Sequence, residues 1–202
     1  MKYRISTSGQ NMEGGYSKMI DDVQFLIDNV GQNVLIDDVE RKVLVTNPII
    51  EEFDTKYIHS LEPIVQGAYA KIDNHTYITI YDEQVKRYDK YKVKCRLCNW
   101  HLVTSHEEKI LIGYDDLNRP VYEYETVIDG EYACIVEQIN FSNTSDQAVN
   151  QLDDVIYLTI QDNEAIRQQY TVNSTINYKD TNLTCIGIDN TKNGLLIYKL
   201  QK

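Results

Sequence analysis

The sequence predicts a mainly β protein: a small antiparallel β-barrel or sandwich with one N-terminal α-helix, followed by a second β-rich, sandwich-like domain. Three observations predict it. Short apolar runs recur at close spacing with turn residues between them, and only one stretch carries a helical period. In the clearest run, Tyr91, Val93, Cys95 and Leu97 alternate with Lys92, Lys94 and Arg96, the two-residue period of a strand with one wet face. A chain of 202 residues, 42% of them hydrophobic, is long enough for one ordinary domain or two small ones. No residue-level repeat at a fixed period supports a solenoid or propeller.

Residues 1–15 are polar, with Gly9, Gly14 and Gly15, and read as a flexible arm with too little apolar surface to fold alone. From Tyr16 the apolar positions Met19, Ile20, Val23, Leu26, Ile27 and Val30 form one helical stripe, expected to pack on the sheet that follows. Asp21 and Asp22 suit the positive end of that helix, and Gly31 stands where a glycine ends it. Asn33–Ile36 and Val39–Val45 then read as a hairpin turning at Asp37-Asp38, two residues that tolerate left-handed backbone. Residues 49–64, with Pro63, are assigned to a long loop with at most one short strand or helical turn.

A second block of strands covers Val65–Ile72, Thr76–Tyr81 and Tyr91–Val103, the first two joined at Asp73-Asn74-His75. Ile110–Ile112 and Val121–Tyr124 flank a turn over Asp115–Pro120, and Tyr132–Phe141 reads as a further strand. Residues 142–153 are the best exposed loop within the chain. The final strands are Val155–Ile160, Gln169–Ile176, Leu183–Ile188 and Leu195–Leu200, with Gly194 supplying positive φ at the closing turn. The organisation is therefore an arm at 1–15, a helix with a barrel-like domain at 16–103, and a second β-rich domain at 104–202.

With 20 Lys+Arg against 31 Asp+Glu, the net charge of −11 disfavours nucleic-acid binding, which is built on cations that neutralise phosphates. No apolar run approaches the roughly 20 residues needed to span a bilayer, and the first residues do not resemble a signal peptide, so a soluble protein made in the cytoplasm is expected. Cys95, Cys98, Cys134 and Cys185 are then expected as reduced thiols. Cys95-Arg96-Leu97-Cys98, with His101 and His106 downstream, has the spacing of half a zinc site or a redox pair. On a regular strand positions 95 and 98 point to opposite faces, so buried packing cysteines are expected and no metal or cofactor. No phosphate-binding loop, dinucleotide fingerprint, zincin motif or nucleophile elbow is present, and adjacent carboxylates such as Asp115-Asp116 read as turn formers. An enzyme is not expected. The 16 tyrosines suit half-exposed sheets and protein interfaces, and Lys92, Lys94 and Arg96, sharing a wet strand face, are the candidate partner interface.

Three stretches carry a resemblance to a known family. They are Phe25–Ile36 with Arg41–Asn47, Asn74–Ile80 leading into Lys94–Leu102, and Leu183–Asp189 with Gly194–Ile197. In these the chain resembles the neck proteins of tailed bacteriophages, the small β-rich components that join portal and head to tail. Where such proteins centre a Trp after the turn, this chain has Tyr77, and its single Trp is Trp100. The resemblance implies a virion structural protein, assembled in the bacterial cytoplasm, that forms a head-closure or stopper ring. Its partners would be further copies of itself, portal or adaptor proteins and tail completion proteins, with DNA passing unbound and no membrane involved. The alternative is a carbohydrate- or receptor-binding β module of a virion tail.

Overall fold

A computed structural model describes residues 13–48, 54–81, 84–86, 90–138 and 155–202. The chain is mainly β, as the sequence predicts, and its strands divide between two antiparallel sheets. Helix α1 (Glu13–Val30) precedes strands β1 (Gln32–Ile36), β2 (Val39–Thr46), β3 (Thr55–Ser60), β4 (Tyr69–Ile72), β5 (His75–Thr79), β6 (Gln84–Lys86) and β7 (Lys90–Leu97). These strands are ordered β3-β2-β1-β4-β5-β7-β6, and β3 also pairs with β7, which closes a six-stranded barrel with β6 as an extra strand. The barrel is filled by the inward positions of alternating strands, among them Val34, Val43, Ile58, Ile72, Val93 and Cys95. Its hairpins turn at Asp37-Asp38 and Asp73-Asn74, all four residues at positive φ between 46° and 66°.

The second sheet contains β8 (Trp100–Tyr114), β9 (Pro120–Gln138), β10 (Val155–Gln161), β11 (Thr175–Tyr178), β12 (Thr181–Asp189) and β13 (Leu195–Gln201), ordered β11-β12-β13-β10-β9-β8. It curves as a half-barrel around Leu102, Leu158, Ile160, Tyr198 and Leu200. The short helix α2 (Glu164–Gln169) closes it by burying Ile166, with Asn163 as N-cap accepting from the Ala165 amide at 2.8 Å.

Several boundaries differ from the sequence reading, each for a physical reason. The strand expected over 91–103 is two strands in two sheets, broken at Cys98-Asn99. Asn99 makes the crossing: its side chain accepts from the Val136 amide at 2.8 Å and donates to the Val136 carbonyl at 2.9 Å, doing the work of a strand neighbour. The strand expected from Tyr132 is the last third of the long β9, and residues 139–154, with the expected loop at 142–153, lie outside the described residues. Within the expected loop 49–64 the one short strand allowed for is β3, and it closes the barrel; residues 49–53 lie outside the described residues. In the stretch read as the strand Gln169–Ile176, the chain instead ends α2 and turns, with strand beginning at Thr175. Of the expected arm, residues 13–15 belong to α1 and residues 1–12 lie outside the described residues.

Helix α1 departs furthest from expectation in its packing. Of its side chains from Asp22 to Val30, only Ile27 is buried, while Phe25, Leu26 and Val30 are exposed. Its end is nevertheless held, because Gly31 donates to the Ile27 carbonyl at 2.9 Å and Lys42 of β2 donates to the Asp28 carbonyl at 2.8 Å. Gly31 is there for room: a Cβ would lie 2.2 Å from the Ile27 oxygen.

Candidate interaction surfaces

Among the described residues, the hairpin β8–β9 builds an exposed apolar surface. Its base is fixed to the half-barrel, where Leu102 and Thr104 are buried. Gln169 of α2 pairs with Ser105 as a strand would, accepting from its amide and donating to its carbonyl, both at 3.1 Å, and Tyr170 donates to the Val103 carbonyl at 2.6 Å. Between Thr104 and Ser105 the register shifts, leaving Asp129 as the extra residue, where its carboxylate pairs with His106 at 2.7 Å. Beyond this bend the two strands run out as a ribbon from Ser105 to Ile128, about 30 Å long at a strand's rise per residue.

The pairing assigns each ribbon residue to a face. Lys109 opposite Tyr124 and Leu111 opposite Tyr122 form an aromatic face, continued by Tyr114 and Ile128. Tyr114 and Tyr124 are each 62% exposed and Ile128 is 68% exposed; Lys109 lies over the Tyr122 ring at 3.7 Å. On the other face Glu108 stands opposite Glu125 and Ile110 opposite Glu123, so two carboxylates face each other directly. That arrangement is unfavourable in an isolated hairpin. None of these three glutamates has an ion-pair partner among the described residues. The tip is ordered by Asp115, which accepts from the amides of Leu117 and Arg119 and pairs with the Arg119 guanidinium at 2.7 Å. These bonds, the Arg119 amide first, hold its carboxyl below the usual aspartate range.

The three basic residues singled out by the sequence lie on β7, pointing away from the barrel core as the alternation requires. Lys92 and Lys94 flank Tyr57 of β3, with ammonium groups 3.9 Å and 6.0 Å from its ring centre. Arg96 is placed differently. It faces the second sheet and pairs with Glu137 of β9 at 2.7 Å, with only 16% of its side chain exposed. Lys92 and Lys94 of β7 and Tyr57 of β3 thus share one outward face of the barrel.

Arg96 belongs to the seam between barrel and half-barrel. There Ile78, Ile135 and Leu195 bury one another, Tyr69 donates to the Ala133 carbonyl at 2.6 Å, and Gln161 donates to Asp37 at 3.1 Å. Cys98 packs against this cluster, while Cys95 and Cys134 lie in the two cores. Burial pushes the Cys95 and Cys98 thiols up to about 12 and also raises those of Cys134 and Cys185, so all four stay protonated at neutral pH. Among the described residues, no three His, Cys, Asp or Glu side chains converge as a metal ion would require. A cleft of about 540 Å³ opens beside the seam; on its lining Lys71 pairs with Asp38 at 2.7 Å, His101 lies 4.0 Å from Glu131, and the Asp37 carboxylate accepts from Gln161.

The sequence reading located the hairpin turn but not the ribbon's length. The available signal was the run Ile110-Leu111-Ile112, which puts apolar side chains on both faces of a strand, a pattern that a strand backed by its own core does not need.

A closed barrel joined to a half-barrel, with a projecting ribbon and thiols held protonated, describes a two-sheet β protein whose distinctive features are surfaces. Residues 10–97 match the YomX N-terminal domain and residues 104–201 match the YomX C-terminal domain. The chain belongs to the YomX family, a phage-associated family. None of the curated proteins and none of the solved structures compared with it matches the chain.

Proposed function

We propose that the protein is a structural subunit of the phage virion, a ring-forming protein of the neck that closes the head and joins it to the tail. The observation that carries this reading is the ribbon: some 24 residues project from the body and expose Leu111, Tyr114, Tyr122, Tyr124 and Ile128 along one face. An isolated two-stranded ribbon is marginal in water, and a contiguous exposed apolar face marks an interaction site. In this reading that aromatic face meets the neighbouring neck proteins, portal or adaptor on one side and tail completion protein on the other. The work is done by surfaces, with no catalytic step, metal or cofactor invoked. The phage association of the family supports the setting, and the net charge of −11 suits a conduit that DNA must traverse without sticking.

Disrupting the gene in the phage tests this. DNA-filled heads and free, complete tails should accumulate unjoined, and the purified protein should not retard DNA at physiological salt. Normal particle yield, or heads that never fill, would reject the neck assignment. A second reading, a tail-borne module that binds carbohydrate, is favoured by the same three exposed tyrosine rings, since such rings stack on sugars. It predicts intact virions that fail to adsorb, and loss of glycan binding in Tyr122→Ala and Tyr124→Ala.

A further inference from the structure

We infer that Asn193 is a site of spontaneous deamidation, in which the Gly194 amide nitrogen displaces ammonia from the Asn193 side chain, and that its isoaspartate product loosens the seam between barrel and half-barrel. The inference goes beyond the neck reading and stands whichever surface the virion uses.

Asn193-Gly194 is the single Asn-Gly junction of the chain. Glycine suits this chemistry because it has no side chain to shield its nitrogen or to restrict the approach to Asn Cγ. The structure leaves both reacting groups open. Asn193 is exposed in the turn between β12 and β13, and neither its side chain nor the Gly194 amide makes a hydrogen bond among the described residues. The turn is closed around them instead, by the Leu195 amide donating to the Lys192 carbonyl at 3.2 Å. Two comparable junctions are held back. At Asn173-Ser174 the Ser174 amide donates to the Thr171 carbonyl at 3.0 Å, so the attacking nitrogen is engaged. At Asp129-Gly130 the group under attack is a carboxylate, a poorer electrophile than a carboxamide, and His106 holds it at 2.7 Å.

The reaction needs only hydroxide and water. Hydroxide removes the Gly194 amide proton, the nitrogen attacks Asn193 Cγ, and the N–Cγ bond forms as the Cγ–Nδ2 bond breaks. The departing nitrogen takes a proton from water and leaves as ammonia, and the ring that remains is a succinimide. Water then opens the ring at either carbonyl. Opening at Cγ gives aspartate, and opening at the main-chain carbonyl gives isoaspartate; nothing is oxidised or reduced.

The two products differ in what they do to the fold. Aspartate changes only an exposed side chain. Isoaspartate routes the main chain through Cβ and Cγ, which inserts an extra backbone atom immediately before Gly194, where the packing has no slack. The Gly194 carbonyl accepts from the Asp162 amide at 3.0 Å, a Cβ on Gly194 would lie 2.1 Å from the Gln66 oxygen, and the next residue, Leu195, is buried with Ile78 and Ile135. The extra atom is taken up by displacing Gly194 or Leu195, and so falls on the cluster that joins the two sheets.

Incubating the purified full chain at mildly alkaline pH tests this, with peptide mass mapping and enzymatic methylation of isoaspartate as readouts. Conversion at Asn193 should run at least tenfold faster than at Asn173 and rise in proportion to hydroxide. The aged protein should melt several degrees below the fresh protein. Asn193→Asp, measured fresh, should melt as the wild type does. Asn193→Gln, whose longer side chain closes the ring far more slowly, should keep its melting temperature through the same incubation. Asn193 that stays intact in the folded chain while the same stretch converts as a synthetic peptide overturns the site. Aged protein rich in isoaspartate that melts as fresh protein does, or an Asn193→Gln chain that loses stability as fast as the wild type, overturns the effect on the seam.

Discussion

Gly67 and Gly194 meet across the seam with no room between them: a Cβ on Gly67 would lie 1.8 Å from the Gly194 oxygen, and one on Gly194 would lie 2.1 Å from the Gln66 oxygen. Both are also at positive φ, 86° and 72°, where an L side chain is strained. Alanine at either position should cost ~2 kcal/mol or more, whereas Gly187→Ala, with open space around its Cβ, should be near neutral; thermal melts of the three variants check this. Gly194 was legible in the sequence as a turn residue, but its partner was not, because that proximity exists only once the two sheets are placed. Asp115 gives a pH signature. Its folded-state pKa is depressed, so the bonds it accepts are fully present above the unfolded value near 4 and are lost as pH falls through the folded value. The Leu117 and Arg119 amide resonances should therefore titrate together, with a midpoint below that of a free aspartate; a midpoint above it would show that Asp115 does not organise the tip. The four thiols, raised by burial, should resist alkylation at pH 8 in the folded protein and react once it is denatured.

At the scale of elements, the two-residue hairpins were the most legible feature, because Asp37-Asp38 and Asp73-Asn74 are residues that accept left-handed backbone between runs of strand formers. The period-two alternation of β7 likewise put Val93 and Cys95 inside and the lysines outside. What local pattern cannot encode is where a strand changes sheet or how far it continues beyond its core. Cys98-Asn99 looks like strand, yet Asn99 spends its side chain on Val136 and ends it. Helix α1 shows the converse limit: an amphipathic stripe requires an apolar partner but does not specify that the partner is the chain's own sheet. The ribbon's root should be sensitive to α2. Gln169→Ala leaves the Ser105 amide and carbonyl without their partners, and should cost about 1–2 kcal/mol while raising hydrogen exchange at Ser105. Unchanged exchange there would mean that the ribbon stands without this clamp.

At the scale of the molecule, the barrel closes through the β3–β7 pairing, whereas the half-barrel ends in β8, whose outer edge is met by Gln169 and Tyr170 at Ser105 and Val103 before it runs out into the ribbon. The acidic and aromatic faces of the ribbon belong to an extension of the second sheet, while Lys92, Lys94 and Tyr57 lie on the barrel. The sequence carried the β class and the Lys-bearing strand, but not the reach of the ribbon, since that depends on which sheet each strand joins. A density map of the intact virion tests the central claim most directly. The account predicts a ring of copies of this chain at the junction of head and tail. Particles in which the chain sits at the tail tip, or is absent altogether, would contradict it.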